Sequence, residues 1–271
     1  MMRFHSIALA ATLSLAMLSP VRADDAARAA NFVRMNGKDA AAVASTRIEL
    51  AVSLRALGEV SRSFDFGGNG TADFWMKITR DFVRGGRALG QGMQTVARAM
   101  NPGPVAAAIG GVGANLGALN EGGNGDAYYW MARAKDTAQR ITSAGQQLDT
   151  IAASLQSTPA PETVPAGAVL MALAQVAGSL DQGGNGDAQY WMRTTSDFVH
   201  LGRGVGRGLS LVAGTVPSPL NAVLNATASQ LTALNEGGNG TADYWMARAR
   251  GVADQVRGHG QTLAEIAQTL P

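Results

Sequence analysis

Four stretches of this chain carry the side chains best suited to chemistry, and they are copies of one another. Gly67-Gly68-Asn69-Gly70-Thr71-Ala72-Asp73-Phe74-Trp75-Met76 recurs as Gly122 to Met131, Gly183 to Met192 and Gly237 to Met246. Trp75, Trp130, Trp191 and Trp245 are all the tryptophans of the chain, and its tyrosines fall in the same stretches. Indole and phenol rings gathered around a turn can stack on a sugar, a peptide or an apolar ligand. The amides of Asn69, Asn124, Asn185 and Asn239 lie beside them, and Tyr128 and Gln189 occupy the most variable position of the pattern as adaptable contacts. The competing reading is structural. Each Trp is in register with the apolar seam of the helix it opens, which is where a core anchor sits, and the periodicity favours that reading.

The same turns are bracketed by acids: Asp65 and Asp73, Glu121 and Asp126, Asp181 and Asp187, Glu236 and Asp243. Calcium takes such oxygen ligands. Helix capping and the helix dipole account for the acids after the turn without an ion, whereas those before it, near helix C-termini, fit the dipole poorly. Glycine-rich turns at helix starts can also cradle phosphate, but a carboxylate already stands there in every copy. Catalytic patterns are absent. There is no Cys, His200 and His259 are the only histidines beyond residue 5, and no P-loop, HExxH or nucleophile elbow occurs. No cofactor is implied, and an enzyme, such as a hydrolase assembled from distant residues, ranks behind a binding role.

These side chains must be positioned by helices. After the turns, apolar residues recur every three or four positions, as in Trp75, Ile78, Phe82, Leu89, Met93 and Val96, or Trp245, Ala249, Val252, Val256, Leu263 and Ile266. The segments before the turns repeat the spacing in Leu50, Leu54, Leu57 and Phe64, in Val105, Ile109, Val112 and Leu116, and in two later segments starting at Val169 and Leu220. A glycine in the left-handed region can close a helix, and Thr71, Asp126, Asp187 and Thr241 are placed as N-caps. Prolines at 102 and 104, at 159, 161 and 165, and at 217 and 219 stop the other ends.

A higher-order repeat lies above the first. Asp81-Phe82-Val83 returns as Asp197-Phe198-Val199, and Met-Ala-Arg-Ala occurs at 131 to 134 and 246 to 249, so matching tryptophans stand 116 and 115 residues apart. The expected fold is all-α, with eight helices as four helix-turn-helix repeats. It is a tandem duplication of a two-hairpin, four-helix unit, packed as an up-and-down bundle pair or a short α-solenoid.

Arg3, the apolar run Ile7 to Leu18 and the small-residue end at Ala23 read as a signal peptide over residues 1–23. Residues 24–158 then form the first helical half and 159–271 the second. Leaving out Arg3 and Arg22, 20 of the 22 Lys and Arg face 20 Asp and Glu, so the basic footprint that nucleic acid requires is missing. Glycines interleaved with arginines at 85–90 and 202–208 cost helix propensity. Close helix packing is the favoured explanation, with membrane contact second. The sequence thus describes a periplasmic or secreted helical module that binds a small ligand, a glycan or a protein, or serves as a scaffold. The alternative is an envelope-associated protein that uses its small-residue helices at a membrane surface.

Overall fold

A computed structural model describes residues 46–156, 161–181 and 186–270. The expected leader, Pro159 and Ala160 of the central proline loop, and Gly183, Gly184 and Asn185 of the third turn lie outside the described residues. Among those residues the protein has eight helices and two short strands: β1 (Arg47–Glu49), α1 (Leu50–Ser61), α2 (Ala72–Arg98), α3 (Pro104–Gly117), α4 (Ala127–Leu155), β2 (Thr163–Pro165), α5 (Ala166–Gly178), α6 (Ala188–Ala213), α7 (Leu220–Thr232) and α8 (Ala242–Thr269).

The four long helices start where the motif sets them. Thr71, Asp126, Asp187 and Thr241 each accept a hydrogen bond from the amide three residues on, satisfying a donor that the first turn leaves free. Apolar composition sorts the short helices. α1 and α5 are buried on most of their surface and lie inside the molecule, whereas α3 and α7 bury one stripe, Ile109, Val112 and Leu116 or Leu220, Leu224 and Leu231.

The helices joined by the described GGNG turns do not form tight hairpins. α1 packs on α4 and α6 far more than on α2, α3 on α2 far more than on α4, and α7 on α6 far more than on α8. The reason lies in the connectors. In the second and fourth copies the helix before the turn ends at Gly117 or Thr232, well ahead of the glycine with positive φ, Gly122 or Gly237. The glycines therefore shape a loop and do not cap the preceding helix. Helices separated by the proline loops at 99–103 and 214–219 do pack side by side, as α2 with α3 and α6 with α7.

A two-stranded antiparallel pair, too short to show in the periodicity, ties residues 47–49 to 163–165, with Ile48 opposite Val164 and both fully buried. One continuous apolar core runs through both parts of the chain. The interleaved glycines are where helices approach most closely. A Cβ on Gly90 would stand 2.5 Å from the Gly113 carbonyl of α3, and one on Gly208 would stand 2.6 Å from the Ala56 carbonyl of α1. No helix among the described residues is long and apolar enough to cross a membrane.

Candidate functional site

The starts of the long helices meet. Thr79 donates to the Trp75 carbonyl at 2.8 Å and to that of Trp130 at 3.4 Å, and Thr195 does the same to Trp191 and Trp245 at 2.7 and 3.4 Å. Gln189 donates to the Asn69 carbonyl, and the Lys77 ammonium lies 4.9 Å from the centre of the Tyr190 ring. The expected aromatic contacts gather here, but the indoles face inward: Trp75, Trp130, Trp191 and Trp245 are only 2–7 % exposed. Each packs edge-on against the ring that precedes it, Phe74, Tyr129, Tyr190 or Tyr244. Tyr128, at 78 %, is open to solvent, and Asn69, Asn124, Asn239 and Gln189 are exposed.

The motif's spacing has a steric basis. A Cβ on Gly70, Gly125, Gly186 or Gly240 would fall inside the ring four residues later. Tyr129 and Tyr244 also accept the amides of Gly123 and Gly238 at 2.9 and 3.0 Å. Phe74 has no hydroxyl to do this, and in the first copy the positive φ moves to the second glycine, Gly68.

Three of the four acids before the turns take side-chain partners, and the fourth, Asp65, is contacted through its main chain. Arg80 pairs with Glu121 at 3.1 Å and Arg84 with Asp181 at 2.7 Å. Glu236 accepts from Ser196 at 3.1 Å and faces His200 at 3.5 Å, and Arg193 donates to the Asp65 carbonyl. Asp126 and Asp187 serve as caps, while Asp73 pairs with Lys77 at 2.6 Å and Asp243 opens the first turn of α8. Among the described residues, no three acidic or histidine side chains converge as metal ligands.

A different set of residues lines a small pocket, partly open to solvent, with about 30 Å³ of internal space. Its apolar wall is Phe64, Phe82, Leu180, Phe198 and Leu201, with Gly85 leaving room, and its polar lining is Asp81, Asp181, Asp197, Ser63 and Ser179. Ser63 and Ser179, Phe82 and Phe198, and Asp81 and Asp197 are pairs 116 positions apart. Both serine hydroxyls donate back into their own helix ends, to Val60 at 2.6 Å and to Val176 at 2.7 Å. They therefore turn lone pairs, and no hydrogen, toward the space.

The carboxyls pay a desolvation penalty in this setting. Burial, reinforced by the charge of Asp197, pushes Asp81 up to about 8, against the pull of Arg84. Burial likewise pushes Asp197 up to about 7, although Arg193 grips it at 2.8 and 3.2 Å. Burial also raises Tyr190 to about 12, with the Asp81 charge adding to it. On α8, His259 is buried, and burial holds it below its ordinary value.

In the sequence, Asp81-Phe82-Val83 and Asp197-Phe198-Val199 stand out only as marks of duplication. The available signal was a carboxylate kept beside the apolar seam, between Ile78 and Phe82, in both copies. Comparison with protein-family profiles, curated proteins and solved structures finds no match.

Proposed function

We propose that this chain is an exported, non-catalytic helical module, a tandem duplication of a four-helix unit, that binds a small ligand in the pocket between Asp81 and Asp197. The observation that carries the reading is the pocket itself, a small, partly open and mainly apolar hollow whose polar lining comes from residues of both halves. Binding is favoured over catalysis because the two lining hydroxyls are committed to main-chain carbonyls and neither meets a base. The leader-like start at Arg3 to Ala23 supports a periplasmic or secreted location. With the indoles buried, the ligand face moves from the GGNG turns to the pocket.

Thermal-shift screening of the full chain against small amines, alcohols and carboxylic acids of a few heavy atoms tests this, with Leu201→Trp as a variant that fills the pocket. A compound that raises the midpoint of the wild type and not of Leu201→Trp is the expected result. A screen in which nothing separates the two chains removes the reading.

A second reading, association with a membrane surface, has one observation in its favour. α3 and α7 contain no charged residue, and Ala107, Ala108, Gly111 and Ala114 of α3 are exposed. Flotation with liposomes tests it, since a chain without membrane affinity stays at the bottom of the gradient.

A further inference from the structure

The two halves meet through contacts that are made twice. The Leu50 amide donates to the Glu162 carbonyl at 2.8 Å, and 116 positions on the Ala166 amide donates to that of Thr46 at 3.0 Å. β1 and β2 pair about Ile48 and Val164, themselves 116 apart, so that Arg47 stands opposite Pro165 as Glu49 stands opposite Thr163. α1 of the first half lies on α6 of the second, and α5 of the second lies on α2 of the first. At those crossings a Cβ on Gly208 would stand 2.6 Å from the Ala56 carbonyl oxygen, and one on Gly92 would stand 3.1 Å from that of Ala172. Each contact returns with the halves exchanged, as it does about a two-fold axis. α1 and α5, buried on most of their surface, are each covered in part by their own half, through α4 or α8, and in part by the opposite half.

We infer that this face of each half is a docking surface whose occupant is a copy of the same four-helix unit. In this chain the occupant is the other half, kept within reach by residues 156–162, and a second copy of the chain can supply it as well. The pairing goes beyond ligand binding and does not depend on it, although the pocket lies on the same surface, with Phe82 from one half and Phe198 from the other. A surface that repeats about a two-fold axis accepts its own copy, because each group meets the same partner after exchange. Separated halves would expose Ile48 and Val164, both fully buried in the pair. Two differences between the halves favour the unlike pair. Arg207 of the second half donates to Glu59 of the first at 2.7 Å, and their counterparts are Gln91 and Gln175. A Cβ on Gly204 would stand 2.8 Å from that of Ser63, and the counterpart of Gly204 is Ala88. Two first halves would therefore clash there, while two second halves would not.

The test uses the full chain with a protease site placed at 157–160. Cleavage of the folded protein should leave the two pieces eluting together at the volume of the intact chain. Once the chain is cut, the thermal midpoint should rise by about 3–5 °C for each tenfold increase in concentration, because unfolding then separates two molecules. After unfolding in urea and refolding, native mass spectrometry should find mostly unlike pairs, with pairs of second halves as a minority and pairs of first halves rarer still. Glu59→Gln should raise the share of like pairs, since Arg207 then faces a glutamine in either pairing. If the site is not cut, co-expression of 1–156 and 157–271 as separate chains supplies the same pieces. Pieces that elute apart, folded or not, overturn the docking surface. Pieces that stay together but form no like pairs, in the wild type or in Glu59→Gln, overturn the copy as its occupant.

Discussion

Arg193 holds Asp197 through two hydrogen bonds along one turn of α6, whereas Lys77, 116 positions earlier, is bound to Asp73 and leaves Asp81 to a cation 3.7 Å away. Two carboxyls that line the same pocket therefore stand in different electrostatic settings. The difference comes down to a single side chain and can be reversed by mutation.

Lys77→Arg should restore the missing pair. The planar guanidinium can bridge i to i+4 with two parallel bonds, a geometry that a lysine ammonium cannot supply. The expected outcome is a gain of about 1 kcal/mol in stability at pH 8.5, after the loss of the Asp73 pair and the contact with Tyr190. Urea unfolding at that pH measures it, and an unchanged or lower midpoint would show that Asp81 is not short of a partner.

The same carboxyl should make stability depend on pH in a direction unusual for an aspartate. The unfolded chain releases this proton near pH 3.9, while the folded protein keeps it up to about 8. Between those values the folded state binds more protons, so the contribution is fully present below the lower value and is lost as pH rises through the upper one. Asp81→Asn removes the titrating group. It should be close to neutral at pH 5 and more stable than wild type by roughly 1–3 kcal/mol at pH 9, where the wild type must bury a charge. A difference that does not widen with pH contradicts the placement of Asp81. His259, held low by burial, acts on the other side: its contribution is present above about pH 6.5 and is lost as pH falls.

Much of this was legible in the chain and some was not, for a physical reason. Caps and seams are local, so Thr71 or Asp126 and the Trp75 to Val96 stripe announce themselves by spacing alone. The core position of Trp75 follows from the same stripe. Which helix packs on which is not local. Nothing within residues 50–61 states that α1 lies against α6, and the pocket exists only because that pairing brings Ser63 and Phe64 to Asp197. Ile48 and Val164 form their pair at a three-residue length where alternation carries no signal. The close approach of Gly208 to Ala56 reads in the sequence only as an unexplained glycine.

The last glycine of the turn should be the least replaceable residue of the motif. On Gly125 a Cβ would enter the Tyr129 ring, while on Gly123, two residues earlier, it would meet nothing within 4 Å at an ordinary φ. Gly125→Ala must displace a ring that packs against Trp130 and accepts the Gly123 amide, at a cost of about 1–3 kcal/mol. Gly123→Ala should fall within about 0.5 kcal/mol of wild type. Chemical unfolding of the two variants side by side decides it, and equal effects would mean that the aromatic does not depend on the glycine.

Helix glycines divide in the same way. Gly208 lies 2.6 Å, by its missing Cβ, from the Ala56 carbonyl of α1, and main chain cannot step aside as a flexible side chain would. Gly208→Ala should therefore cost about 1–3 kcal/mol through forced separation of α6 from α1. Gly258, inside α8 with nothing within 4 Å, should behave oppositely: alanine there gains about 1 kcal/mol of helix propensity without a clash. Opposite signs for the two variants in thermal unfolding are the expected outcome, and a stabilising Gly208→Ala would show that the two helices are not in contact there.

The indoles give the most direct optical check. All four tryptophans belong to the repeated motif and none is more than 7 % exposed, so emission of the folded chain reports only on the motif. A blue-shifted spectrum with weak acrylamide quenching is expected, moving to the water-exposed position on unfolding. Trp75 and Trp191 are the most deeply buried, at 2 %. Truncating either to alanine should cost about 3–5 kcal/mol, while Tyr128→Ala, on a ring that is 78 % exposed, should change stability by less than about 0.5 kcal/mol. A readily quenched native spectrum would place the rings in solvent and return the search for a ligand to the GGNG turns.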